Sequence, residues 1–268
     1  MPRRIFVTGL GIITGIGNNL AETKDSLYHL RSGIGRIRFL DTNLGWELPS
    51  SEVKHSLEEC FKLAGIPVTE GYSRNALFGI IAAREAYLDA RVGDHPDLRT
   101  GLISATTVGG MDRCELYFED FLNNDSKNIY IDSYDCADST ERIADILNIR
   151  DYITTISTAC SSSSNAIQFG ARLIMNGDLD RVIAGGTESL TKFHLNGFNS
   201  LKILDKQPSK PFDEHRNGIN LGEGAERALQ LTAKHLQAFK RLGHGDRSVC
   251  RWRGFDPQKS VRFFPFDC

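Results

Sequence analysis

The chain has 268 residues, 40% apolar and 25% charged, which excludes a disordered polypeptide and is enough to bury a real core. Its 32 basic and 34 acidic side chains leave −2 overall, but residues 226–268 hold nine basic and four acidic residues, so a +5 tail follows a −7 body. The six cysteines form neither C-x-x-C pairs nor a disulfide cadence, and no apolar run reaches the ~18 residues of a membrane span.

The start, MPRRIFVTGLGIITGIG, has a charged-then-apolar order. Its interrupting glycines and missing small-residue cleavage site argue against a leader peptide. The expectation is a soluble, cytoplasmic protein with no bound metal.

Along the chain, Ile5–Val7 reads as a short strand ended by glycines. SRNALFGIIAAREAYLDA, residues 73–90, has the spacing of an amphipathic helix through Ala76, Ile80, Ala83 and Tyr87. TGLISA, residues 100–105, reads as a buried strand, and ERIADILNI, 141–149, as a helix. Ile153–Ser157 is a further strand, and Ser161 to Met175 a helix stopped by Gly177. Arg181–Ala184 is the next strand, terminated by Gly185-Gly186, and 192–221 reads as a loop over a surface or site. Strands separated by helices predict α/β layers with mostly parallel pairing.

Thr158-Ala159-Cys160-Ser161-Ser162-Ser163-Ser164 places a cysteine where a strand ends and a helix of small residues begins. The unpaired N–H groups and dipole of a helix N-terminus favour a thiolate there, and the same groups suit the oxyanion of an attacked thioester. A buried, inert cysteine fits the spacing as well. Cys60, Cys114 and Cys136 are read as inert.

Thr8-Gly9-Leu10-Gly11 lacks the third glycine of a dinucleotide fingerprint, since Thr14 stands in its place, and its glycines read as a tight turn. A phosphate-binding G-x-x-x-x-G-K-[ST] loop is absent, so no cofactor is expected. Pro211-Phe212-Asp213-Glu214-His215-Arg216 is either an exposed charged turn or a loop ordered by Asp213–Arg216 contacts.

Read together, RRIFVTGLGIITGIG, SATTVGGMD, STACSSSSNAIQFGARLI, RVIAGGTESL, NGFNSL and PFDEHRNGINLGEGA resemble an elongating β-ketoacyl-acyl-carrier-protein synthase, a ketosynthase of the thiolase superfamily. The motifs stand in family order across residues 3–225. The resemblance implies the N-terminal half of a thiolase-like α/β fold, a mixed sheet flanked by helices, with a non-matching tail. It implies that Cys160 accepts an acyl chain from acyl carrier protein or coenzyme A for decarboxylative condensation with malonyl-carrier protein. Val108 and Phe198 match positions lining the acyl pocket, and a homodimer is the implied assembly. Thr14-Gly15 replaces a Thr-Pro common in the family, while His194 and His215 stand outside its histidine motifs and read as surface residues.

The family takes two histidines, a lysine and a gating phenylalanine from its C-terminal half, and none of those motifs occurs here. Residues 1–225 therefore read as the ketosynthase domain and 226–268 as a divergent or frameshifted basic tail. ERALQLTAKHLQAF within that tail has helical apolar spacing through Leu229, Ala233 and Leu236, which also suits a partner-binding helix. Nucleic-acid binding by its Arg and aromatic residues finds no recognised module, and neither nucleic acid nor membrane is expected as a partner. The alternative to an acyltransferase is a non-catalytic, truncated or carrier-protein-binding subunit. A Cys-dependent thioesterase would need a base that the sequence does not identify.

Overall fold

In the computed structural model, residues 4–232 and 250–251 are described. The chain begins with strand β1 (Ile5–Thr14) and helix α1 (Leu20–Tyr28), whose N-cap Asn19 accepts from the Glu22 amide. Helix α2 (Leu57–Ala64) carries a capping box in which Ser56 and Glu59 exchange hydrogen bonds. Helix α3 (Arg74–Asp89) follows, then strand β2 (Thr100–Ala105) and helices α4 (Met111–Asn123), α5 (Asn128–Asp132) and α6 (Cys136–Leu147). Strand β3 (Tyr152–Ile156) leads through the single turn Ala159–Ser161 into α7 (Ser162–Asn176). The remaining elements are β4 (Arg181–Glu188), α8 (Lys192–Ser200), β5 (Gly224–Thr232) and β6 (Cys250–Arg251).

The six strands form one mixed sheet in the order β3-β2-β4-β5-β1-β6. Strands β3, β2 and β4 run parallel, whereas β5 is antiparallel to both β4 and β1. Helices α2, α3 and α6 cover one face and α7 the other, each over its own apolar core. Residues 74–83 of α3 are all buried, the pattern of a helix enclosed on most sides.

Gly9 and Gly11 do not make a turn. They lie within β1, where a Cβ on Gly11 would stand 2.0 Å from the Ala82 carbonyl oxygen and one on Gly9 2.4 Å from that of Ala86. Their role is to let the α3 backbone lie directly on the strand, so β1 runs on well past Val7.

The Gly185-Gly186 pair does not end β4, which continues to Glu188. A Cβ on Gly186 would meet the Ser163 hydroxyl at 2.0 Å, so this glycine admits the start of α7. Gly177 adopts a left-handed conformation (φ +87°) and ends α7, as the sequence indicates.

Residues 192–200 are helical, because Thr191 caps α8 by accepting from the His194 amide. The stretch from Gly224 to Thr232 is a strand, paired on both sides, and not the start of a helix. It crosses the boundary drawn at residues 225 and 226, and continuous tertiary pairing overrides the helix-forming composition of ERALQLT. Ala233 and Leu236 lie outside the described residues.

Candidate active site

Ala159 holds a left-handed backbone (φ +51°), unusual for a residue with a Cβ, and it directly precedes Cys160. The turn between β3 and α7 is tied by the hydroxyls of its own sequence. The Thr158 amide donates to Ser162 Oγ at 2.8 Å, and that hydroxyl donates to the Ala159 carbonyl at 2.7 Å. Ser161 Oγ donates to the Thr158 carbonyl at 2.9 Å, and Asn165 Nδ2 donates to Thr158 Oγ1 at 2.8 Å. The serines after Cys160 thus build the turn. Cys160 itself is exposed at its crest, ahead of the N–H groups of α7 that have no intrahelical partner.

At Cys60, Cys114 and Cys136, burial works against the thiolate. Burial pushes the Cys60 thiol up to about 11, and burial also raises Cys114 and Cys136. A hydrogen bond with Ser157 pulls Cys136 the other way.

Beside the turn lies a cleft of about 250 Å³ at the carboxyl ends of β2 and β4, next to the antiparallel β5. Such a crevice, where the sheet changes direction, is a usual place for a ligand. Ala159 and Ser162 on either side of Cys160 line it, with Thr106, Thr107, Glu188 and Glu226. Glu188 is fixed there, accepting from Thr106 Oγ1 at 3.1 Å and from the Thr107 amide at 2.6 Å. None of the histidines among the described residues lines this cleft.

Val108 and Phe198 do not line it either. Val108 is buried between β2 and α4, and Phe198 is half-buried on α8 with its ring edge-on to His194, centroids 6.4 Å apart. His194 is half-buried rather than on the surface, whereas His215 is exposed. Residues 211–216 are all exposed. Asp213 does order this turn, accepting from the His215 amide at 2.7 Å, but Arg216 binds the Asp213 carbonyl rather than its carboxylate.

A buried ion pair was not legible in the sequence. Arg74 Nη2 and Glu223 Oε1 are 2.6 Å apart, with side chains 8% and 1% exposed. Glu223 also accepts from the Val53 and Leu190 amides, and Arg74 donates to the Val53 and His55 carbonyls. Burial pushes the Glu223 carboxyl up, against the pull of the guanidinium. The pair joins α3 to the loop after β4 and the approach to β5, and the last two carry matching motifs.

The sequence model of the beta-ketoacyl synthase N-terminal domain matches residues 2–230. Curated relatives include 3-oxoacyl-[acyl-carrier-protein] synthase 2 of Staphylococcus aureus strain N315, 25% identical over 239 residues. That match covers 83% of this chain and 56% of the relative. The protein of the same name from Coxiella burnetii is 26% identical over 248 residues, covering 88% and 59%.

Among solved structures, the ishigamide ketosynthase/chain length factor superposes with a TM-score of 0.81 at 25% identity, covering 90% of this chain and 61% of that one. The ketosynthase ApeO in complex with its chain length factor ApeC, from Xenorhabdus doucetiae, gives a TM-score of 0.71 at 26% identity, covering 85% and 58%. The chain therefore spans little more than half the length of these relatives. Among the described residues no helix is long and apolar enough to cross a membrane. With its mixed sheet flanked by helices and its family motifs in register, the chain belongs to the beta-ketoacyl synthase family, through that family's N-terminal domain.

Proposed function

We propose that this chain is the acyl-accepting part of a β-ketoacyl-acyl-carrier-protein synthase of fatty-acid or polyketide assembly, with Cys160 as nucleophile. The observation that carries the reading is the strained, hydroxyl-tied turn that presents Cys160 between β3 and α7. The Cys160 sulfur attacks the thioester carbonyl of an acyl-carrier protein, and the oxyanion is met by backbone N–H groups at the entry to α7. Collapse of the tetrahedral intermediate expels the carrier thiolate, which takes up the proton released by Cys160. Atoms balance: one thioester is exchanged for another.

Val108 and Phe198 are proposed to line the acyl chain's path. The carbon–carbon step uses malonyl-carrier protein and, in the family, histidines of the C-terminal half, so the described residues account for acylation alone. A cytoplasmic homodimer completes the reading. The exposed edge of β3 at the end of the sheet suits strand pairing with a second copy.

A carrier protein labelled in its acyl group tests the assignment. The label passes to this chain and is released by hydroxylamine, as from a thioester; a label that stays on the carrier contradicts it.

A further inference from the structure

Glu115 joins the two elements that carry Val108 and Phe198. Helix α4 starts three residues after Val108, and the Met111 amide donates back to the Val108 carbonyl at 3.3 Å. The Asn75 side chain pins the same bend by donating to the Gly109 carbonyl at 3.0 Å. One turn into α4, Glu115 spreads its two carboxylate oxygens over the start of α8. One accepts from the Lys192 amide at 2.7 Å and the other from the Phe193 amide at 3.1 Å.

With Thr191 Oγ1 accepting from the His194 amide at 3.0 Å, the first three N–H groups of α8 are all engaged. Only Leu195, wholly buried against Ile37 and Leu48, gives this short helix an apolar anchor of its own. Phe198 lies one turn beyond, packed on His194. One carboxylate therefore ties the helix that follows Val108 to the helix that carries Phe198, across 77 residues of sequence.

We propose that Glu115 is a positioning residue for acyl-chain selection: by holding α8 against α4 it fixes the gap between Phe198 and Val108, and so the length of chain that the Cys160 thioester accommodates. The proposal rests on the functional reading above. A plain helix cap would affect stability and all substrates alike; a positioning role changes the ratio between substrates. A small change in an apolar slot is enough, since a single methylene discriminates roughly tenfold or more.

The test compares the whole chain as wild type, Glu115→Ala and Glu115→Gln. The initial rate of Cys160 acylation from butyryl- and from dodecanoyl-carrier protein is measured by intact mass. Glu115→Ala should change the butyryl-to-dodecanoyl ratio by roughly tenfold, with the butyryl rate within about twofold of wild type. Glu115→Gln retains one carbonyl acceptor, should stay folded, and should give a smaller shift in the same direction.

An unchanged ratio in both variants overturns the proposal, and so does an equal loss for both chain lengths. If Glu115→Ala does not fold, the Glu115→Gln ratio decides alone. Failure of the wild type with every thioester removes the functional reading and the proposal with it, and the wild-type control distinguishes that result from failure of Glu115 alone.

Discussion

Asn165 donates its side-chain amide to Thr158 Oγ1 at 2.8 Å, tying the first turn of α7 to the residue two places before Cys160. The same amide reaches Ser161 Oγ at 3.3 Å, so one side chain braces both sides of Cys160.

Ser162→Ala removes the acceptor of the Thr158 amide and the donor to the Ala159 carbonyl. The loss is expected to cost about 1–3 kcal/mol of stability, the penalty of groups left without partners. Acylation of Cys160 should slow at least tenfold through misplacement of the sulfur. Denaturant unfolding and acylation rates check the two effects separately. Full activity in Ser162→Ala would show that the hydroxyl merely fills space.

Breaking the Arg74–Glu223 pair on one side leaves a buried charge. Glu223→Ala should destabilise the fold by about 3–5 kcal/mol, whereas Arg74→Met combined with Glu223→Leu should recover most of that loss. Chemical denaturation of wild type and the two variants makes the comparison. Equal stability of the single and double variants would contradict it.

Arg227 is wholly buried, donating to Ser104 Oγ at 2.8 Å and to the Glu226 carbonyl at 3.0 Å, while its Nε has no partner. Burial lowers its guanidinium to about 10. Among the described residues no carboxylate forms an ion pair with it. Replacement by Met, of similar reach and uncharged, should stabilise the chain by about 1–3 kcal/mol. Thermal unfolding of Arg227→Met reads this directly, and a lowered midpoint would mean that the charge is compensated.

These residues show how far the sequence could be read. TGLISA announces β2 at its observed bounds, because six consecutive buried residues need no register, and Gly177 announces the end of α7. Glycines misled where their reason was tertiary. Gly9 and Gly11 face the α3 backbone and Gly186 faces Ser163, neither visible from neighbouring residues.

The helix formers of ERALQLT were overridden by pairing of β5 with β1 and β4. The strand-to-helix turn that holds Cys160 was legible because it is built locally, from Thr158 to Asn165. The Arg74–Glu223 pair spans 149 residues and the Glu115 cap 77, so both needed the folded chain.

Burial raises the Glu115 carboxyl, against two backbone donors that lower it. The folded state therefore holds the proton more tightly than the unfolded state. Its contribution to stability is complete below the unfolded carboxyl value and is lost as pH rises through the higher folded one. As pH rises from the ordinary carboxylate range through the raised folded value, the stability of wild type relative to Glu115→Gln should fall. A pH-independent difference in their unfolding free energies would contradict this.

Cys160 alone is proposed to take the acyl group. Intact-mass spectrometry after incubation with acyl-carrier protein, run in parallel on wild type and Cys160→Ala, tests it most directly. One acyl adduct is expected on the wild type, mapped to Cys160, and none on the variant; no adduct on the wild type, or an equal adduct on both, overturns the assignment.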